Sequence, residues 1–274
     1  MKDQLHKEYG KLSAADIRLL LSMLEKLEHE ELVMSDEILS DPIKCSKFFD
    51  FEATQVVWAG LYEVDFPTCL ALIIHQFGIA DDMSAISKSE NPLEKLVTWI
   101  EAQKSEDDDD EESVSAEYLE FIRCVHAYNT ALLKNIHALL VYGVYLNDLV
   151  KIAREGVPKM RDKALLDAIK IDPSVVGCKT ATERISRAVL MKDERFLSKL
   201  RLALEGKLGA KEQATYKKMR YVLQLLHEAN ALSLPDSKLE NLFVKELNLY
   251  HAPASAEKNL GEFARNFRKK KSTI

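Results

Sequence analysis

Glycine and proline are scarce in this chain, nine and seven among 274 residues. That scarcity argues against loop-rich β architectures, which use both at their turns. The four cysteines, Cys45, Cys69, Cys124 and Cys178, stand singly, with no Cys-x-x-Cys pair and no histidine at ligand spacing. Neither a disulfide framework nor a zinc site is indicated, and buried free thiols are expected. Catalytic signatures are missing too: no HExxH, no GxxxxGK[ST], no GxGxxG and no GxSxG, which removes the common metalloprotease, nucleotide and hydrolase readings. No histidine follows a glutamate by three residues, the spacing that di-iron helical bundles use; the nearest shape is Asp3 to His6. No metal or other cofactor is therefore expected.

Long apolar runs are absent as well. The two most apolar stretches, Phe66 to Ala80 and Asn135 to Asn147, fall short of the roughly 20 residues that a spanning helix needs. The opening residues MKDQLHKEYGKL carry acids and no apolar core of a signal peptide. The expectation is a cytoplasmic chain with no membrane partner.

What the sequence does hold is helix. Apolar residues make up 47% and charged residues 30%, with Leu, Ala, Lys and Glu abundant, so an all-α multi-helix bundle of about ten helices is expected, either as one body or as two helical subdomains. Its spine is the stretch 115–150. Tyr118, Ile122, Val125, Asn129, Leu132, Ile136, Leu139, Gly143, Leu146 and Val150 alternate at spacings of three and four, one face of a buried helix. This helix either bends at Gly143 or runs to Glu155, where Gly156 stops it. Asn129 on that apolar seam reads as a register device, since a buried amide demands a partner.

Local signals place the other helices. Ser13 with Asp16 resembles a capping box before Ile17, Leu20, Leu21, Leu24 and Leu27. Residues 51–62 read as a helix, Pro67 opens another to Phe77 with Gly78 at its end, and Asn91-Pro92 opens a third over 93–102. Further helices are expected over 159–170, from Thr180 or Thr182 to Met191, from a cap at Asp193 to Leu204, from Lys211 to about Asn230, over 239–250 and over 255–267, the last followed by a basic tail, Arg268 to Lys271.

The charge is divided unevenly. Residues 1–150 hold 12 Lys and Arg against 29 Asp and Glu, while 151–274 hold 26 against 15, so net charges of −17 and +11 combine to −6. Seven consecutive acids, Glu106 to Glu112, cannot bury themselves and read as an exposed linker over 105–114, separating an acidic helical region, 1–104, from a region 115–274 with a basic C-terminal part. Such polarity suits either attraction between the two parts or an acidic partner.

Two groups of residues are candidate sites. Lys179, Arg184, Arg187, Arg195, Lys199, Lys217, Lys218, Arg220, Arg268, Lys269 and Lys270 form a basic surface, fit for phosphate or carboxylate. The pair of helices joined at Lys192-Asp193 resembles a helix-turn-helix, but its turn lacks glycine and Glu183, Asp193 and Glu194 would face the DNA. His75, His126, Asn129 and His137 could line a small pocket; the plainer reading places the histidines at helix contacts. The leading expectation is a non-catalytic helical interaction or regulatory protein that meets a protein partner or itself. Nucleic-acid binding through the basic part stands second, and an enzyme using the histidine pocket third.

Overall fold

A computed structural model describes residues 8–26, 59–103, 116–205, 214–251 and 256–272, with side chains in the central helix from Tyr128 onward. The acidic run, the segment 35–50, most of the helix expected over 51–62 and the side chains of Cys124 and His126 lie outside the described residues. Within them the chain is all-α, with no strand and one isolated bridge between Tyr9 and Leu12.

Helix α1 covers 14–26 and begins with the reciprocal cap its sequence suggested. The Asp16 backbone N–H donates to Ser13 Oγ (3.2 Å) and the Ser13 N–H donates to Asp16 Oδ2 (2.8 Å). Residues Ala59–Glu63 form a 3-10 turn, and α2 (Phe66–Gln76) starts with Asp65 accepting from the Thr68 N–H at 2.9 Å. Gly78, at φ +66°, closes α2 in the left-handed region where a Cβ is costly. Next come α3 (Ala80–Ser87) and α4 (Pro92–Gln103).

The spine is α5, Ala116–Tyr142. Gly143 adopts φ +75°, and the chain turns by 76° into α6, Leu146–Glu155. Of the two courses the sequence allowed, the helix therefore bends at Gly143. A Cβ there would sit 3.2 Å from the Phe267 ring, so the turn needs glycine for space as well as for its dihedral. Helix α7 (Pro158–Ile171) packs along α6, and a 3-10 turn, Pro173–Gly177, leads to α8 (Lys179–Leu190) and α9 (Glu194–Leu204). Cys178, and not Thr180 or Thr182, occupies the N-cap position of α8. The second half continues with α10 (Ala214–Glu228), α11 (Asp236–Glu240) running into a π-helical turn (Asn241–Glu246), and α12 (Ala256–Lys271). The basic ending is thus no tail: Arg268 to Lys271 form the last turn of α12, where cations meet the negative end of the helix dipole.

Two apolar clusters hold these helices. One joins the Ala59–Glu63 turn, the end of α5, and α6 to α9 around Leu146, Leu165, Ile169 and Phe196. The other joins Tyr9 and α1 to α10, α11 and α12 around Met219, Leu223, Leu226 and Phe243. Each cluster draws on both the acidic and the basic parts of the sequence. Burying one side chain of this size contributes about 1.5–3 kcal/mol.

The expected seam of the spine is buried at Leu139, Gly143, Leu146 and Val150 but shifts over 129–138. Asn129 is exposed, whereas Ala131, Asn135 and Ala138 are fully buried. Small residues let neighbouring backbones come close, so in that stretch the tight face follows them, while Leu132 and Leu133 stay half-buried. The register role read for Asn129 is accordingly corrected. The buried amides are Asn135 and Asn147, placed on either side of the Gly143 bend. Asn135 donates to the Ala131 carbonyl (2.9 Å) and accepts from the Asn147 N–H (3.1 Å). Asn147 Nδ2 donates to the carbonyls of Leu61 and Val64, each at 2.7 Å.

Candidate basic groove

The residues expected to form one basic surface are divided by the structure. Arg184 points inward from α8, with Nε at 2.7 Å and Nη2 at 2.9 Å from the Asp162 carboxylate and Nη2 at 2.8 Å from Asp193. Its guanidinium lies 3.9 Å above the Phe196 ring. Hydrogen bonding to Asp162 raises its pKa still further, and the same contact holds the Asp193 carboxyl below its usual range. Arg184 is therefore a clamp between α7, α8 and α9, not a surface cation. Asp193 has a second task, capping α9 through the Phe196 N–H at 3.1 Å, as its sequence position suggested.

Lys217, Lys218 and Arg220 lie on α10, away from α8 and α9. Lys218 pairs with Glu25 of α1, and Arg220 donates to the Leu140 carbonyl at 2.6 Å. Lys179 and Arg187 are exposed on α8, and Arg268 is half-buried on α12. Lys270 donates to the Tyr142 carbonyl at 3.0 Å.

Arg195 and Lys199, by contrast, converge with cations that the sequence survey passed over. A groove of about 810 Å³ runs between α7 and α9, lined by Lys159, Lys163 and Lys170 from α7 and by Arg195, Lys199 and Leu202 from α9. Asp162, Asp167 and Asp193 also line it. Arg184 engages Asp162 and Asp193, and Lys170 lies 3.5 Å from Asp167. Lys159, Lys163 and Lys199 make no ion pair among the described residues. The groove thus presents cations along both banks, with Leu202 exposed at 59% among them. Lys159, Lys163 and Lys170 are spaced by four and seven, one helical face, so a signal for this bank was present in the sequence.

The candidate histidine pocket is not assembled in this way. His75 and Asn129 are exposed, on different helices. His137 is partly buried, and burial together with Lys134 and Lys217 lowers its pKa to about 4. A histidine kept neutral in the fold stabilises it above the unfolded pKa of about 6.5 and loses that contribution as pH falls through 4. Acid unfolding is therefore expected to ease by about 1–2 kcal/mol between those limits, less than the full shift implies because the ring keeps some solvent. In His137→Gln that part of the pH dependence should vanish from denaturant titrations.

Among the described residues no group of three or more His, Cys, Asp and Glu could hold a metal ion. Cys69 and Cys178 are buried free thiols with pKa values pushed up by burial, to about 11 and about 12. Both are the opposite of an activated nucleophile. No single helix among the described residues is long and apolar enough to cross a membrane. The chain matches no family model, no curated protein and no solved structure.

Proposed function

We propose that this is a non-catalytic interaction protein that holds an acidic, amphipathic segment of a partner protein in the groove between α7 and α9. The observation that carries the reading is the groove's lining: Lys159, Lys163, Arg195 and Lys199 surround an apolar strip that includes Leu202 and Pro158. Cations steer an acidic segment into place and set its register, while apolar side chains seated on the strip supply most of the affinity. A nucleic-acid backbone would use the same cations but would leave Leu202 without a counterpart, which favours a peptide.

Fluorescence anisotropy with a labelled peptide that alternates glutamate pairs with leucine tests this directly. The full chain is expected to bind it, with affinity falling as salt rises. Lys159→Glu with Lys199→Glu should weaken binding on the order of tenfold or more. Equal binding by the folded double variant, or binding of a generic DNA duplex with none of the peptide, would overturn the reading.

A further inference from the structure

A second cavity, of about 340 Å³, adjoins the groove along α7 and is lined by residues next to the Gly143 bend, from α6 and from the end of α12. Its floor is apolar and buried: Val144, Leu149, Ile152 and Ala164 are all at most 9% exposed. Tyr142 and Met160 form its walls. Exposed lysines mark its mouth, Lys163 from α7 and Lys269 and Lys270 from the last turn of α12. The one acid in the lining, Asp167, is neighboured by Lys170. A closed apolar floor under a cationic mouth is the complement of an amphiphile with a single anionic head. The volume lies at the small end of the range for ligand sites, about 300–1,000 Å³.

We propose that this cavity binds the anion of a medium-chain fatty acid. The chain lies on Val144, Leu149, Ile152 and Ala164, and the carboxylate meets Lys163 and Lys269 at the mouth. Lys270, which also lines the cavity, is tied to its rim by a bond to the Tyr142 carbonyl. The site adjoins the groove and shares Lys163 and Asp167 with it, but Lys159 and Lys199 line the groove alone, and Met160 and Lys269 line the cavity alone. Either binding event can therefore fail without the other.

Isothermal titration of the full chain with decanoate, below its micellar concentration, is the test. Decanoate should bind, and each methylene added from octanoate onward should tighten binding about fourfold until the chain outgrows the floor. Decanol should bind more weakly than decanoate. Met160→Trp, which fills the cavity from a 38% exposed position, should abolish binding, and Lys269→Glu should weaken it several-fold. Circular dichroism establishes that each variant is folded. The proposal is overturned if decanoate does not bind, if both folded variants bind it like the parent chain, or if the chain binds only phosphatidylglycerol vesicles. Decanoate binding that is lost in Lys159→Glu with Lys199→Glu but kept in Met160→Trp would place the ligand in the groove and equally overturn it.

Discussion

Asn147→Leu is expected to cost about 3 kcal/mol of stability, although leucine keeps the number and branching of asparagine's side-chain heavy atoms and the site is 1% exposed. The amide donates to two backbone carbonyls, Leu61 and Val64, at the end of the 3-10 turn. Leucine would leave both in an apolar setting with nothing to donate to them, and an unsatisfied buried acceptor costs about 1–3 kcal/mol. The loss is less than twice that figure because Asn147 Oδ1 itself has no partner among the described residues, and its removal relieves a smaller penalty. The backbone N–H of residue 147 would still donate to Asn135 Oδ1, so the bend at Gly143 should survive while the Ala59–Glu63 turn loosens from α6. Urea denaturation measures the cost, and hydrogen exchange at 59–65 locates it. Asn129→Leu is the control: that side chain is exposed, and its replacement should stay within about 0.5 kcal/mol. Equal effects of the two substitutions would refute the register role of Asn147.

The contrast between these two asparagines shows how far the sequence could be read. Helix boundaries were legible wherever the signal is local. The Ser13–Asp16 box, the Asp193 cap on the Phe196 N–H and the positive φ of Gly78 and Gly143 are each set within four residues of their own position. What was hidden depends on residues far apart in the chain. The exposed N-terminus of α8 is satisfied by Glu63, whose carboxylate accepts from the Thr180 N–H at 2.8 Å and its hydroxyl at 3.0 Å across a separation of 117 residues. No spacing rule finds such a cap. Likewise the burial of Ala131 and Ala138 depends on which helix arrives opposite, whereas the spacing pattern weights Leu132 and Leu133, which in the fold are only half-buried.

The basic surface shows the same division. Of the residues read as one basic surface, Arg195 and Lys199 line the groove and Lys269 and Lys270 line the small cavity, whereas Arg184 is engaged by Asp162 and Asp193, and α7 adds Lys159, Lys163 and Lys170. Part of the opposite charge of the two halves is used inside the molecule: Arg154 lies 2.9 Å from Glu63, and Lys218 pairs with Glu25. Arg18, 3.6 Å from Glu246, joins the two parts with the signs reversed. Their side chains are largely exposed, so each contributes at most about 1 kcal/mol. Association of the two parts therefore rests mainly on the shared apolar clusters, which leaves the unpaired lysines on α7 and α9 for an external anion.

Lys271 and Asp148 form a more buried link between the halves, 3.9 Å apart with side chains 9% and 16% exposed. Burial lowers the lysine pKa and raises that of the aspartate, while each opposes the shift in the other. The lysine also lies 5.2 Å from the Tyr145 ring, which stacks on Phe66 at 4.0 Å. This contact fixes the end of α12, and with it Lys269 and Lys270, against the helices that form the floor of the small cavity. The position of the cavity's cationic mouth is thus set by packing and not by the mouth lysines themselves.

Tyr62→Phe should destabilise the fold by about 2 kcal/mol while removing a single oxygen. The hydroxyl is fully buried and donates to Asp172 Oδ2 at 2.6 Å, and Asp172 is itself only 4% exposed. Burial and the adjacent carboxylate hold the phenol well above its ordinary pKa, so it stays a donor throughout the working range. The other carboxylate oxygen accepts from the Ser174 N–H at 2.9 Å, which starts the Pro173–Gly177 turn. One aspartate therefore joins the Ala59–Glu63 turn to the segment that delivers α8, and phenylalanine would remove the hydroxyl that donates to it. The discriminating measurement is a double-mutant cycle with Asp172→Asn. Once the acceptor is neutral, losing the hydroxyl should cost about 1 kcal/mol less than it does in the parent chain. If the two substitutions prove additive, the hydroxyl and carboxylate are independent contributors and the link between the turn and α8 lies elsewhere.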